Sequence, residues 1–115
     1  MKGKLHSEDG AVVCEQCTVA RNPLTRMRGL LGRRGLAAGE GLLLQPAGSI
    51  HTFFMRFPID AVFLDADQRV LKVAAGVPPW RAAAAKRSRA VLELAAGEAA
   101  RVGLVAGDVL RLEVN

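Results

Sequence analysis

The chain has 115 residues, half of them apolar and 23% charged, a composition that predicts one soluble globular domain with a modest core. No apolar run approaches the roughly 18 residues of a membrane-spanning helix, which excludes a transmembrane class. The formal charge of +5 favours acidic partners, but four Phe, one Trp and no Tyr are too few to build an aromatic groove for nucleic acid. Nucleic-acid binding is therefore the less favoured interpretation.

The first ten residues are polar and contain Gly3 and Gly10, so we expect a loosely ordered tail over residues 1–10. A secretory signal would need a continuous apolar stretch, and the chain instead has four polar residues at positions 6–9. This segment predicts a cytoplasmic protein. Residues 11–115 are predicted to form a single domain.

Cys14 and Cys17 form a CxxC pair, which in other contexts supplies half of a zinc site or a redox disulfide. The β-branched residues around the pair favour a strand, in which positions three apart point to opposite faces. Such cysteines cannot easily share a metal or a disulfide, and a tetrahedral site would also need His6 and His51. We predict free thiols, one of them buried, and no metal site.

A short helix is predicted from Pro23 to about Arg33. Asn22 can cap it, Pro23 suits a first helical position, and apolar residues follow at spacings of three and four. Gly35 suits the end of this helix.

Short apolar runs bounded by Gly, Pro and Asp recur through most of the chain, as expected for strands joined by turns. These runs span residues 12–20, 41–45, 50–55, 59–64, 70–74, 91–95 and 109–114. The spacing predicts a mainly β fold, a compact antiparallel β-sandwich or small barrel with one short helix.

The segment from Ser49 to Asp65 is the most function-like part of the sequence, because it sets polar side chains among aromatic ones. Asp60 begins an otherwise apolar run, where a carboxylate is costly unless Arg, His or backbone N–H groups meet it. One hypothesis is that Asp60 fixes the bend after Arg56 by accepting backbone hydrogen bonds or by pairing with that arginine. The other is that Asp60 orients His51, which would act as a proton carrier in a pocket.

Catalysis by these residues is the less favoured hypothesis, because the sequence has no nucleophile elbow and no phosphate-binding glycine loop before a helix. A second contact surface is predicted at Trp80 and Arg81, since Trp and Arg dominate protein interfaces. The other interpretation is a loop that caps the sheet with Trp80. The predicted residues for binding a ligand or partner are His51, Thr52, Phe54, Arg56, Asp60, Trp80 and Arg81.

Several motifs occur in an order that resembles one prokaryotic family, catalogued as domain of unknown function 192. They are RMRGLLGR (26–33), GEGLLLQP (39–46), SIHTFFMRFPIDAVFLD (49–65), AVLELAAG (90–97) and GLVAGD (103–108). The resemblance covers the chain from about Val12 to the end. It implies a compact all-β domain of jelly-roll or barrel type with a short helix, no established activity and no cofactor.

The best-known stretch of that family corresponds here to residues 53–60. Many relatives have Trp in place of Phe54 and a longer Met-Lys-Asn-Thr turn, whereas this chain has the shorter form preceded by His51 and Thr52. The CxxC is not part of the family pattern. Some relatives with the shorter turn are encoded near pilus or secretion components, so the resemblance implies an accessory interaction role.

Three functions stand as hypotheses. The first is a non-enzymatic binding domain that contacts a protein or small molecule around residues 49–60 and Trp80. The second is a small hydrolase-like or isomerase-like enzyme in which His51 acts as acid or base beside Asp60. The third is weak binding of nucleic acid or an anionic membrane surface through the basic residues.

Overall fold

The computed structural model describes residues 1–22 and 29–114, and most of its regular structure is β-strand. The strands of these residues are β1 (Lys2–Ser7), β2 (Val12–Ala20), β3 (Glu40–Leu44), β4 (Ser49–His51), β5 (Ile59–Leu64), β6 (Val70–Val77), β7 (Ala82–Ala84), β8 (Ala90–Ala95) and β9 (Leu110–Val114). A single-turn helix, α1 (Glu98–Arg101), follows β8. The predicted mainly β class is confirmed.

Seven strands form one sheet in the order β6-β5-β8-β3-β2-β1-β9, and β4 pairs with β7 in a separate two-stranded sheet. Among the described residues, the edge strands β6 and β9 form no ladder with each other, and only an isolated bridge between Arg69 and Val109 lies between their ends. Without a ladder between its two edges the large sheet is not closed, and the predicted sandwich fits better than the predicted barrel. The β2–β3 pair is parallel where an antiparallel arrangement was predicted. Parallel neighbours need a crossover connection of a dozen or more residues, and positions 21–39 separate these two strands in the sequence.

The N-terminal segment is a strand, and the predicted loose tail over residues 1–10 is wrong for most of its length. β1 lies between β2 and β9, pairs antiparallel with both, and buries Leu5 completely. At Gly3 the neighbouring strand β9 comes so close that an added Cβ would lie 2.6 Å from the carbonyl oxygen of Glu113. A polar sequence forms this strand because backbone hydrogen bonds on both edges satisfy it.

The predicted helix over residues 23–33 falls mostly outside the described residues. Of its described part, residues 29–33 form turns, in which the N–H of Arg33 donates to the carbonyl of Leu30 at 3.2 Å. Helix α1 was not predicted, since four residues are too few to show a helical period. No helix within residues 1–22 and 29–114 is long and apolar enough to cross a membrane.

Two apolar clusters lie on the two faces of the large sheet. Alternate residues of the inner strands divide between them, so that Val62 and Leu92 belong to one cluster while Phe63 and Val91 belong to the other. The small sheet covers the second cluster with Ile50. Burial on both faces explains why β5 is an apolar run rather than an alternating one.

Cys14 and Cys17 lie on the same face, contrary to the prediction of opposite faces. Cys17 pairs with Gly3 and Cys14 with Leu5, so three steps along β2 match two steps along β1. This bulge adds one residue to β2 and brings positions three apart to one side. Both thiols are free and fully buried, where one was predicted to be, and the Cys14 hydrogen bond together with burial raises the pKa of Cys17.

The buried thiols are tightly packed against the next strand. A Cβ at Gly41 would come within 2.7 Å of the Cys14 sulfur, so this position in β3 has no room for a side chain. In the part of the chain that the structure describes, no third His, Cys, Asp or Glu joins the two thiols in a group that could hold a metal ion.

Candidate functional site

Four aromatic side chains cluster on the surface at one end of the small sheet. Phe53 stacks on His51 with ring centroids 5.1 Å apart and on Trp80 at 6.0 Å, while Phe54 meets Trp80 at 4.7 Å with its ring tilted by 59°. Phe53, Phe54 and Trp80 are 41%, 72% and 55% exposed. We call these four side chains the aromatic platform. Such a contiguous exposed apolar patch is typical of a contact surface.

Thr52 joins the two loops that carry the platform. It is fully buried, and its Oγ1 donates to the carbonyl of Pro78 at 2.6 Å and accepts from the N–H of Arg81 at 2.9 Å. Its main chain accepts from the N–H of Trp80 and donates to the carbonyl of Arg81, at 2.9 and 2.8 Å. One buried residue of the β4–β5 loop therefore fixes the position of the β6–β7 loop.

The backbone is strained where the platform is most exposed. Phe54 and Trp80 have φ angles of 66° and 67°, in the left-handed region that residues with a Cβ rarely adopt. Such a conformation costs on the order of 1–2 kcal/mol per residue. Exposed apolar rings and a strained backbone coincide here, and the hydrogen bonds of Thr52 hold both in place.

A shallow groove lies beside the platform on the small sheet. Its volume is about 350 Å³, and its lining comes from Ser49 to His51 of β4 and from Ala82 to Ala84 of β7. Because most of the lining side chains are short, the groove is open enough to accept a small side chain from a partner. His51 belongs both to the groove and to the platform.

Asp60 is fully buried and lies outside the platform. Its Oδ1 accepts from the N–H of Gly76 at 2.8 Å, and its Oδ2 accepts from Gly97 and Ala99 at 3.0 and 2.9 Å. The carboxylate thereby caps α1, whose N-cap residue Gly97 has no side chain to do so. The predicted backbone hydrogen bonds to Asp60 are present. Their donors lie in β6 and at the start of α1, and not in the bend after Arg56 as predicted.

His51 and Asp60 are not brought together. His51 is exposed, pairs with Ala82 across the small sheet and stacks on Phe53, whereas the three donors to Asp60 are all backbone N–H groups. The acid–base pair that the catalytic hypothesis needs is therefore not formed. The remaining predicted binding residues of the two loops, Thr52, Phe54, Trp80 and Arg81, do meet at the platform.

Two exposed arginines belong to the loops that carry the platform. The Arg81 guanidinium donates to the carbonyl of Trp80 at 3.2 Å, and Arg56 belongs to the same loop as Phe54. Neither arginine forms an ion pair with any carboxylate of the described residues. Both positive charges are thus available to an acidic partner.

Glu93 is a buried carboxyl group that was not among the predicted site residues. It lies in β8 opposite Leu42 and Ala61, on the face of the second apolar cluster, and is 4% exposed. Burial raises the pKa of Glu93 to about 7. The signal was present in the sequence, since Glu93 interrupts an apolar run in the same way as Asp60.

Replacing Thr52 with valine is expected to destabilise the domain by about 1–3 kcal/mol, because the isosteric change leaves the partly buried Pro78 carbonyl and Arg81 N–H without the Thr52 hydroxyl. Amide hydrogen exchange at Trp80 and Arg81 is expected to accelerate. Thr18→Val in β2 is the control, since no hydrogen bond of that hydroxyl is found within the described residues. Unchanged exchange at both amides would show that Thr52 does not fix the loop.

A family model named DUF192 and described as uncharacterised ACR matches residues 4–112. The fold is similar to the crystal structure of a protein of unknown function from Novosphingobium aromaticivorans DSM 12444, with a TM-score of 0.82, 27% identity and coverage of 96% of this chain and 84% of that one. It is also similar to a proposed transcription regulator from Sinorhizobium meliloti 1021, with a TM-score of 0.87, 23% identity and coverage of 97% and 94%. No curated protein matches the sequence.

Proposed function

The chain belongs to the DUF192 family, and from its own geometry we propose that it is a binding domain that docks a short segment of another protein on the aromatic platform. One observation carries the proposal: three exposed aromatic rings lie on two loops whose backbone is strained at Phe54 and Trp80, and one buried threonine joins these loops. Strain and exposed apolar surface both cost stability, and such costs persist where presentation of the side chains serves a function.

The composition of the platform supports a protein partner. Aromatic residues and arginine supply most of the energetically dominant contacts in protein interfaces. The Thr52 hydrogen bonds pre-organise the rings, which lowers the entropy that is lost when a partner binds.

The surroundings of the platform define the chemistry of that partner. Arg56 and Arg81 favour a segment with carboxylates, and the alanine-lined groove favours a neighbouring small apolar side chain. We therefore expect an extended peptide that combines acidic and apolar residues.

Nucleic acid is less well supported as the partner. Phe53 stacks on both His51 and Trp80, so part of its ring surface is already in contact with protein and is not available to bases. The name of the Sinorhizobium protein adds no support, since 23% identity extends to the fold alone.

A peptide-display library selected against the full chain tests the proposal. We expect a consensus with acidic and apolar residues, and binding of a consensus peptide is expected to weaken at least about tenfold in Phe54→Ala and in Arg81→Ala. Trp80 is the only Trp, so its fluorescence is expected to shift to the blue when the peptide covers it.

Val105→Ala is the matched control, because Val105 is 60% exposed and lies outside the platform. Circular dichroism of each variant verifies that the fold is intact. The proposal is wrong if selected peptides bind the Phe54→Ala protein as tightly as the wild type. Binding of anionic vesicles or single-stranded DNA, with no peptide consensus, would favour the third hypothesis instead.

A further inference from the structure

A second pocket, of about 270 Å³, lies at the end of the large sheet and contains two arginines and three other polar side chains. β5 ends beside the start of β8, the start of β8 lies beside the end of β3, and β3 ends beside the end of β2. The residues just beyond these strand ends, Asp65, Arg89, Gln45 and Arg21, therefore follow one another along the sheet end. Neighbouring strands are about 4.8 Å apart, which sets the spacing of this row.

At one end of the row, two hydrogen-bond acceptors receive no donor from the described residues. The Oε1 atom of Gln68 is buried and accepts no hydrogen bond from the residues that the structure describes. Beside it in the same turn, Asp65 uses Oδ1 to accept from Asp67 and Arg69, and its Oδ2 receives no donor from the described residues. A buried acceptor without a donor costs about 1–3 kcal/mol, so a ligand that donates there would be stabilised.

The rest of the row offers positive charge. The guanidinium of Arg89 is exposed and forms no hydrogen bond or ion pair within residues 1–22 and 29–114. Arg21 donates through Nε to Oε1 of Gln45 at 3.2 Å, and its terminal N–H groups donate to no acceptor among the described residues. Planar guanidinium groups of this kind bind carboxylates in two-point contacts.

We propose that this pocket binds a small acidic amino acid, with the ammonium group on Gln68 and Asp65 and the α-carboxylate on Arg89. The side-chain carboxylate would then reach along the row toward Arg21. The order of polar groups along the sheet end, acceptors followed by the guanidinium groups of Arg89 and Arg21, matches such a zwitterion. The site is separate from the aromatic platform, and the proposal does not depend on a protein partner.

Titration of the full chain with L-glutamate, followed by two-dimensional NMR and calorimetry, tests the proposal. We expect saturable binding, with shifts at the amides of residues 65–69 and 89, and at least about tenfold weaker binding to Arg89→Ala. Glutarate, which lacks the ammonium group, is expected to bind at least about tenfold more weakly than glutamate.

Arg111→Ala is the control, because this exposed arginine pairs with Glu8 outside the pocket. The amide spectrum of each variant reports whether it is folded. Non-saturable titration with glutamate, or binding that is unchanged in Arg89→Ala, would overturn the proposal. Equal binding of glutarate and glutamate would also overturn it, since the acceptor side would then contribute nothing.

Discussion

Replacing Asp60 with alanine is expected to destabilise the domain by about 3–5 kcal/mol, a large share of the stability of a domain of this size. The change leaves the N–H groups of Gly76, Gly97 and Ala99 without their acceptor. It also removes the negative charge that caps the N-terminus of α1. Asp60→Asn is expected to lose part of this stabilisation. The amide keeps one oxygen that can accept from the backbone, but its NH₂ group replaces the other oxygen and faces backbone N–H groups, to which it cannot bond.

Urea unfolding followed by circular dichroism measures the effect, with Asp67→Ala as the matched control. Asp67 is exposed in the β5–β6 turn, and its carboxylate accepts no hydrogen bond from the described residues, so its loss is expected to change stability by no more than about 0.5 kcal/mol. If Asp60→Ala loses no more stability than Asp67→Ala, the three hydrogen bonds do not carry the structural role assigned to them. Folded Asp60→Asn is expected to bind a consensus peptide as the wild type does. This result would separate the structural role of Asp60 from the binding role of the aromatic platform.

The sequence indicated the strands well where burial forces a pattern. β5 is buried on both faces, and its uninterrupted apolar run is visible in the sequence. β1 was missed, because its stability comes from backbone pairing on both edges and one buried Leu5, which leave almost no hydrophobic pattern. The bulge in β2 was missed for a related reason, since the register depends on how β1 pairs with it.

The site could be predicted in its composition but not in its contacts. Asp60 was singled out because a carboxylate in an apolar run needs partners, and it has them. The partners are backbone groups 16 to 39 positions away, and nothing in their side chains marks them as donors. Thr52 illustrates the same limit, since its tie to Arg81 depends on two loops that meet through the small sheet.

Asp60 and Glu93 show how one sequence signal leads to two physical outcomes. Both carboxyl groups lie in neighbouring inner strands, Asp60 opposite Leu94 and Glu93 opposite Ala61, but they point to different faces of the sheet. On one face the backbone supplies three N–H donors. On the other face the surroundings are apolar, and no cation of the described residues forms an ion pair with Glu93. The first carboxylate stabilises the fold, and we expect the second to destabilise it when ionised.

The stability contributed by Glu93 is expected to decrease as the pH rises from about 4.5 to about 7. The ordinary pKa of a glutamate is 4.5, and burial raises the pKa of Glu93 to about 7. Between these values the unfolded chain has released the proton while the folded chain retains it, so the unfolded state binds fewer protons and rising pH favours unfolding. Below this range both states are protonated and the effect vanishes. Above it the cost is constant and amounts to about 3 kcal/mol.

Glu93→Gln is therefore expected to be more stable than the wild type by up to about 3 kcal/mol at pH 8, and nearly equal to it at pH 4. The comparison of urea unfolding profiles from pH 4 to 8 isolates this group, because other acids, such as Glu40 and Asp65 with their lowered pKa values, titrate alike in both proteins. Glu113→Gln in β9 is the control, because it makes the same carboxylate-to-amide change at an exposed position. Its profile of stability against pH is expected to parallel that of the wild type. Parallel profiles for Glu93→Gln and the wild type would mean that Glu93 is ionised at no cost in the folded domain. A pH-dependent difference confined to Glu93→Gln would instead establish that the apolar face of β8 holds a carboxyl group that is half protonated near neutral pH.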